Sequence, residues 1–241
     1  MQMTETRRWR FKGPEMEGPI ARWYARVRGS QSQIEAYRKQ AELLTSGLPA
    51  GAKVLEVAFG PGYLAIELAR RGRVQVSGLD ISQTFVEVAG ENARKAGVSV
   101  DLRQGDAAVM PFDAETFDLV VCQAAFKNFV YPASALSEMH RVLRAGGTAV
   151  IQDMNHDTTH ADIEREVNGM GLGRVNSFTT KATLEMLKRR AYSPARLALL
   201  VAGSPFKTAE IATEGIGLEV RLTKQLRRGG ALEQLKPRPG L

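Results

Sequence analysis

The sequence predicts an α/β fold: a mostly parallel, seven-stranded sheet with helices on both faces, an N-terminal helical lid and an antiparallel hairpin at one sheet edge. Three observations carry this expectation. From Lys53 onward, short apolar runs alternate with amphipathic segments. One run, Phe117 to Gln123, is almost continuously apolar, as a strand covered on both faces must be. The last two apolar runs are joined by a short connection, which favours an antiparallel hairpin at the sheet edge. With 241 residues, 44% of them hydrophobic, the chain can bury one sizeable core and fits one domain with additions.

Residues 1–19, with Gly13-Pro14 and Gly18-Pro19, read as a leader, and a helical pattern from about Ile20 to Leu44 reads as the lid, so that leader and lid fill 1–45. A cofactor-binding core is expected over 46–155. Its strands are Lys53 to Ala58, Gln75 to Leu79, Ser99 to Gln104, Phe117 to Gln123 and Thr148 to Asp153. Its helices are Gly62 to Arg71, Ser82 to Ala96 and Ala133 to Leu143, with Ala145-Gly146-Gly147 as a helix stop. A polar stretch follows to about Phe178, then helices at Thr180 to Arg190 and Pro194 to Ala202, giving an insert over 156–204 that contributes to an acceptor pocket. Edge strands at Lys207 to Thr213 and Gly217 to Thr223 complete the core over 205–224, and a basic tail occupies 225–241.

The net charge of +7 invites a nucleic-acid reading, but its distribution weakens that idea. Residues 1–50 carry 9 basic and 5 acidic side chains, residues 221–241 carry 6 and 1, and the middle carries 18 and 20. The excess lies in the ends, where solvated tails or the arms of a homodimer are commoner than recognition surfaces. No run of eighteen apolar residues occurs and the N-terminus lacks an apolar stretch after its charges, so a cytoplasmic protein without a membrane span is expected. The one cysteine, Cys122, sits in an apolar strand and reads as a small buried residue.

The segment Val54-Leu55-Glu56-Val57-Ala58-Phe59-Gly60-Pro61-Gly62-Tyr63-Leu64-Ala65 feeds an apolar strand into a glycine turn and a helix. Gly60 and Gly62 let a ligand approach the backbone closely. The same frame fits a dinucleotide fingerprint, and Asp80, 20 positions beyond Gly60, could accept ribose hydroxyls in either case. Glu56 separates the two readings. An acidic group before the turn suits the cationic end of S-adenosylmethionine and repels a pyrophosphate seated on the helix N-terminus. Asp106, in Gly105-Asp106-Ala107, adds a third carboxylate at a third strand end, where it can accept the adenine amino group.

In the order and spacing of these motifs, the sequence resembles the class I, Rossmann-like methyltransferases, especially the branch containing the ubiquinone and menaquinone biosynthesis enzymes. The resemblance covers roughly residues 35 to 155. It continues from Gly78-Leu79-Asp80-Ile81-Ser82 and Gly105-Asp106-Ala107 through Met110-Pro111-Phe112 and Phe117-Asp118-Leu119-Val120 to Glu138-Met139-His140-Arg141-Val142-Leu143-Arg144-Ala145-Gly146-Gly147. It implies S-adenosylmethionine as cofactor and S-adenosylhomocysteine as product. It also implies that Glu56 and Gly60 lie by the methionine moiety, with Gly62 also in the cofactor site, Asp80 by the ribose, Ile81 against adenine, Asp106 and Ala107 on the adenine edge, and Gln123 at the methyl-donor mouth. Two positions depart from the family pattern. Ala58 stands where the first glycine is usual, and Lys127-Asn128 stand where a histidine pair is frequent.

On the acceptor side, His156 and His160 follow the fifth strand and are the candidates for a general base, whereas His140 falls within a helical pattern and reads as structural. No metal is expected, because the segment around His156 lacks the fuller ligand spacing of zinc motifs. Trp23, Tyr24, Phe126, Phe129 and Tyr131 are candidates for an aromatic lid over a ring-containing acceptor, with Trp23, Phe126 and His156 in the substrate pocket and the Tyr24 hydroxyl on the cofactor carboxylate. The expected function is methyl transfer to a small ring-containing acceptor by in-line displacement. The alternatives are a nucleic-acid methyltransferase, which predicts salt-sensitive RNA or DNA binding, and a nucleotide-binding module without methyl transfer, which predicts binding of NAD.

Overall fold

The computed structural model describes residues 16–171 and 173–226; the expected leader up to residue 15 and the basic tail from residue 227 lie outside the described residues. Seven strands, β1 (Ala52–Val57), β2 (Val74–Asp80), β3 (Asp101–Gln104), β4 (Phe117–Gln123), β5 (Leu143–Met154), β6 (Glu210–Glu214) and β7 (Gly217–Thr223), form one sheet in the order β3-β2-β1-β4-β5-β7-β6. Strands β1 to β5 are parallel, and β7 runs antiparallel between β5 and β6. The expected fold class and edge hairpin are therefore present. The strand order reverses between β1 and β4, so a crevice opens beyond their carboxyl ends, where ligands bind in open α/β sheets.

Side-chain alternation along the strands builds two cores. Leu55, Val57, Val120 and Cys122 point to one face and pack with Leu136 and Met139 of α5 (Pro132–Val142) and Leu197 and Val201 of α8 (Pro194–Ala202). Val54, Leu119, Val121 and Val150 point to the other, against Tyr37, Ala41 and Leu44 of α2 (Gln31–Thr45) and Leu64 and Leu68 of α3 (Tyr63–Arg70). Helix α4 (Gln83–Ala96) is capped at its start by Ser82, whose Oγ accepts the Phe85 N–H at 3.1 Å. Cys122 is buried and unpaired with another cysteine, as expected.

Three elements differ from the sequence reading. The single N-terminal helix is two, α1 (Gly18–Arg28) and α2, broken at Gly29-Ser30; the Tyr63 ring lies where a side chain at position 29 would go. The polar stretch after β5 contains a helix, α6 (His160–Gly169), started by a reciprocal capping box in which Thr159 and Asp162 satisfy each other's backbone N–H groups. Ala145-Gly146-Gly147 does not lie outside a strand but within β5, where the register shifts between Phe117 and Leu119 of β4 and Gly146 takes φ +81°. Helix α7 (Arg174–Lys188) buries no side chain completely.

Candidate active site

The turn from β1 into α3 turns the chain with three left-handed residues, Ala58 (φ +59°), Gly60 (φ +54°) and Gly62 (φ +78°). A side chain at Gly60 would meet open space, and Gly60 lines the crevice. Gly62 has another duty: a Cβ there would sit 2.7 Å from that of Ala89, so its missing side chain lets α3 approach α4. Asn92 of α4 holds the turn by donating to the Pro61 carbonyl at 3.0 Å.

Glu56 precedes this turn and is buried, with the Ala65 backbone N–H as a donor to it; its Oε2 is the one buried side-chain polar atom among the described residues without a hydrogen-bond partner. Burial raises its pKa from 4.5 to about 8, because the one bond from Ala65 does not make up for the lost water and the Asp80 charge adds to the rise. Glu56 lines a recess of about 40 Å³ together with Tyr24, Arg28, Tyr37, Gly60 and Gln123. Arg28 Nη2 donates to the Tyr37 hydroxyl at 2.6 Å. A carboxylate and a guanidinium on one recess suit the opposed charges of an amino acid. Sequence reasoning missed Arg28, although its four-residue spacing from Tyr24 puts both on one face of α1.

Asp80, at the end of β2, accepts the Gly60 N–H at 2.8 Å on one oxygen and the Ser82 N–H at 2.9 Å on the other. Burial raises its pKa from 3.8 to about 6 against these bonds. A carboxylate has room for about four donors, so these backbone bonds leave Asp80 able to accept from a ligand as well. Asp80, Ile81, Asp106, Ala107 and Gln123 all line a cavity of about 930 Å³, which is continuous with the glycine turn through Ala58 and Gly60. Asp106 is held by the Ala108 N–H at 2.8 Å. The motif downstream explains the loop's position: Arg141 donates to the Phe112 and Met110 carbonyls while Glu138 accepts the Met110 N–H.

The N-terminal residues close over this cavity. Glu17 accepts the Gln83 and Thr84 N–H groups at 2.9 and 3.0 Å, so its charge sits on the N-terminus of α4. Ser82 Oγ donates to the Met16 carbonyl, and Tyr63 donates to Ala25 O at 2.9 Å, which holds α1 along the cavity, where Ile20, Trp23 and Tyr24 line it.

On the acceptor side, Trp23, Phe129 and Tyr131 line the cavity, Trp23 being 61% exposed at the rim. Phe126 lies beneath it in the core against Phe129 and Tyr192 and does not line it. His156 and His160 are not brought to the cavity. Each is exposed and bonded to a carboxylate, Asp157 and Glu185 respectively, because the chain turns away after Asn155 into the cap of α6. His140 packs edge-on against Phe206, as a structural histidine. In place of a histidine the wall carries a buried ion pair, Lys127 and Asp153, that sequence reasoning did not foresee. Among the described residues no group of three or more His, Cys, Asp or Glu is arranged to hold a metal ion, and no helix is long and apolar enough to cross a membrane.

The sheet order, the glycine turn and the strand-end carboxyl groups define a Rossmann-like domain. Residues 55–151 match the methyltransferase-domain family, which bears out the resemblance read from the motifs. The chain is 37% identical over 100 residues to a demethylmenaquinone methyltransferase of Deinococcus radiodurans, covering 41% of this chain and 42% of that protein. It is 34% identical over 131 residues to a demethylmenaquinone methyltransferase of Staphylococcus epidermidis, covering 54% of each. The chain thus spans about half the length of the curated relatives it matches. Among solved structures, a SAM-dependent methyltransferase from Aquifex aeolicus superposes with a TM-score of 0.63 at 18% identity over 84% of this chain and 97% of that one, which shows the shared fold.

Proposed function

We propose that this chain transfers a methyl group from S-adenosylmethionine to a small ring-bearing acceptor held in the larger cavity. The observation that carries the reading is the orphaned, buried Oε2 of Glu56 on the same recess as Arg28. An unpaired buried carboxylate is costly to keep, and an ammonium group would satisfy it. Arg28 would take the carboxylate of the same amino-acid moiety, Asp80 the ribose hydroxyls, and Ile81, Asp106 and Ala107 the adenine. The pyrophosphate of NAD carries no donor for the orphaned Glu56 Oε2 and would repel the carboxyl group in its ionised form, which disfavours the dinucleotide alternative.

The bound donor supplies a methyl group already activated by a positive sulfur. The residues of the chain therefore have to align and desolvate, and alignment alone is worth effective molarities of up to about 10⁵–10⁸ M. The α1 lid and the apolar lining exclude water. Lys127, with Nζ donors to Asp153 and the Ala124 carbonyl, keeps one N–H for an acceptor oxygen. The quinone-type names of the relatives support a ring acceptor with such an oxygen.

Calorimetry with S-adenosylmethionine, S-adenosylhomocysteine and NAD tests the donor, and mass spectrometry of 1,4-naphthohydroquinone, simple phenols, amines and short RNAs tests the acceptor. Saturable binding of S-adenosylmethionine and methylation within the ring-compound set are expected. Binding of NAD alone would sink the reading.

A further inference from the structure

Four polar side chains cross one face of the sheet in a single hydrogen-bonded row. Gln123 of β4 is the register partner of Gln152 on β5, and Gln152 is the register partner of Glu219 on β7. Because partners in register point to the same face, all three meet the α2 side, where Gln40 lies over them. The bonds all run one way. Gln123 Nε2 donates to Gln40 Oε1 at 2.6 Å, Gln40 Nε2 donates to Gln152 Oε1, and Gln152 Nε2 donates to Glu219 Oε2 at 2.7 Å.

The end of the row dictates this direction. A carboxylate only accepts, so Gln152 must turn its NH₂ toward Glu219 and its carbonyl toward Gln40, and each amide in turn is oriented the same way. Arg221 Nε holds the other Glu219 oxygen at 2.7 Å, which keeps Oε2 for the row. At the far end the Gln123 NH₂ is turned toward Gln40, and its Oε1 takes no hydrogen bond from the described residues. Gln123 lines both the recess beside Glu56 and the larger cavity, which is the junction a methyl group would cross.

We infer that Glu219 is a positioning residue that acts through Gln152 and Gln40 to present the Gln123 carbonyl oxygen, rather than its NH₂, to the positive sulfur of the donor. The inference rests on the methyltransferase reading and deepens it: the row makes the site prefer the sulfonium donor over its neutral thioether product. Nothing in the donor recess needs to be charged for this, because an amide dipole of fixed orientation suffices at close range.

The test is to reverse the row. Lysine only donates, so Glu219→Lys forces Gln152, Gln40 and Gln123 to turn over and brings an NH₂ to the junction. Glu219→Gln permits either direction. Gln152→Leu cuts the row. Affinities for S-adenosylmethionine and S-adenosylhomocysteine are read by calorimetry, and the Gln123 side-chain amide signals by NMR of the ligand-free protein. With a hydrogen bond to a charged group at stake, Glu219→Lys is expected to weaken S-adenosylmethionine binding about tenfold or more, with S-adenosylhomocysteine held within about twofold. Glu219→Gln is expected to fall between wild type and the lysine variant. In Gln152→Leu/Glu219→Lys the lysine should add nothing to the effect of the leucine. Unmoved Gln123 amide signals in Glu219→Lys would overturn the relay whatever the protein binds. Moved signals with an unchanged ratio of the two affinities would overturn its role in donor choice. If the wild-type protein binds neither ligand, the proposed function and the role in donor choice both fail, and the amide signals still decide whether Glu219 aims Gln123.

Discussion

Lys127 and Asp153 form a buried ion pair, 2.6 Å from Nζ to Oδ1, joining the turn after β4 to the end of β5 on the cavity wall. The carboxylate also accepts the Lys127 and Met154 backbone N–H groups, and Nζ donates to the carbonyl of Ala124, a residue held at φ +55°. The pair therefore clamps a strained turn as well as offering a donor to the cavity.

Removing one partner should leave a buried charge alone. Lys127→Met is expected to cost about 3 kcal/mol in denaturant unfolding, at the lower end for a broken buried pair, because the backbone donors still hold Asp153. Lys127→Met/Asp153→Asn should recover part of that loss without restoring acceptor turnover. A single variant as stable as wild type would show that the pair is not desolvated.

Glu56 is mostly protonated near pH 7 in the ligand-free chain, since burial raises its pKa to about 8. A bound ammonium group favours the ionised form, so S-adenosylmethionine binding should release most of a proton at pH 7. Calorimetry in buffers of different ionisation enthalpy measures this directly. Glu56→Gln should abolish the release and weaken binding.

The same group sets a pH dependence of folding. The folded chain holds the Glu56 proton more tightly than the unfolded chain, so its contribution to stability is full below about 4.5 and is lost as pH rises through about 8. Wild-type stability minus that of Glu56→Gln should therefore decline across this window. A difference that is flat with pH would remove Glu56 as the cause.

Asp80 behaves alike in folding, with its contribution lost as pH rises from 3.8 through about 6, but donor binding runs the other way. Ribose hydroxyls need lone pairs on the carboxylate, so affinity should be full above pH 6 and fall toward tenfold per unit below it, subject to the Glu56 titration. Asp80→Asn is expected to lose both the affinity and this acid limb.

Ala58 occupies a left-handed position at φ +59°, where a Cβ is strained. Ala58→Gly should raise stability by about 0.5–1 kcal/mol, because the strain it removes outweighs the added freedom of the unfolded chain. It should leave S-adenosylmethionine affinity equal or better. Thermal unfolding of the pair of proteins decides it.

Much of the geometry around the glycine turn was legible because it is local. Glu56, Gly60, Asp80 and Asp106 lie at strand ends or in a turn, and apolar periodicity locates strand ends by itself. Helix α6 was missed because its apolar contribution is small, with Ile163 and Val167 its buried residues, although Thr159 three positions before Asp162 was a usable start signal. The histidines show the opposite error. They follow β5 closely in sequence, but the cap of α6 carries them away from the cavity.

By itself the sequence determined the class of fold, the glycine turn and which strand ends carry carboxyl groups, because each depends on the order of residues along a few turns of chain. Only the tertiary structure decided which side chains meet across it. Arg28 reaches the Glu56 recess from α1, Lys127 in the turn after β4 finds Asp153 on β5, and Gln40 meets Gln123 and Gln152, 83 and 112 residues further along the chain. Such contacts follow from sheet register and helix docking, which are settled by burial of the whole core and leave no periodic mark at the residues that use them.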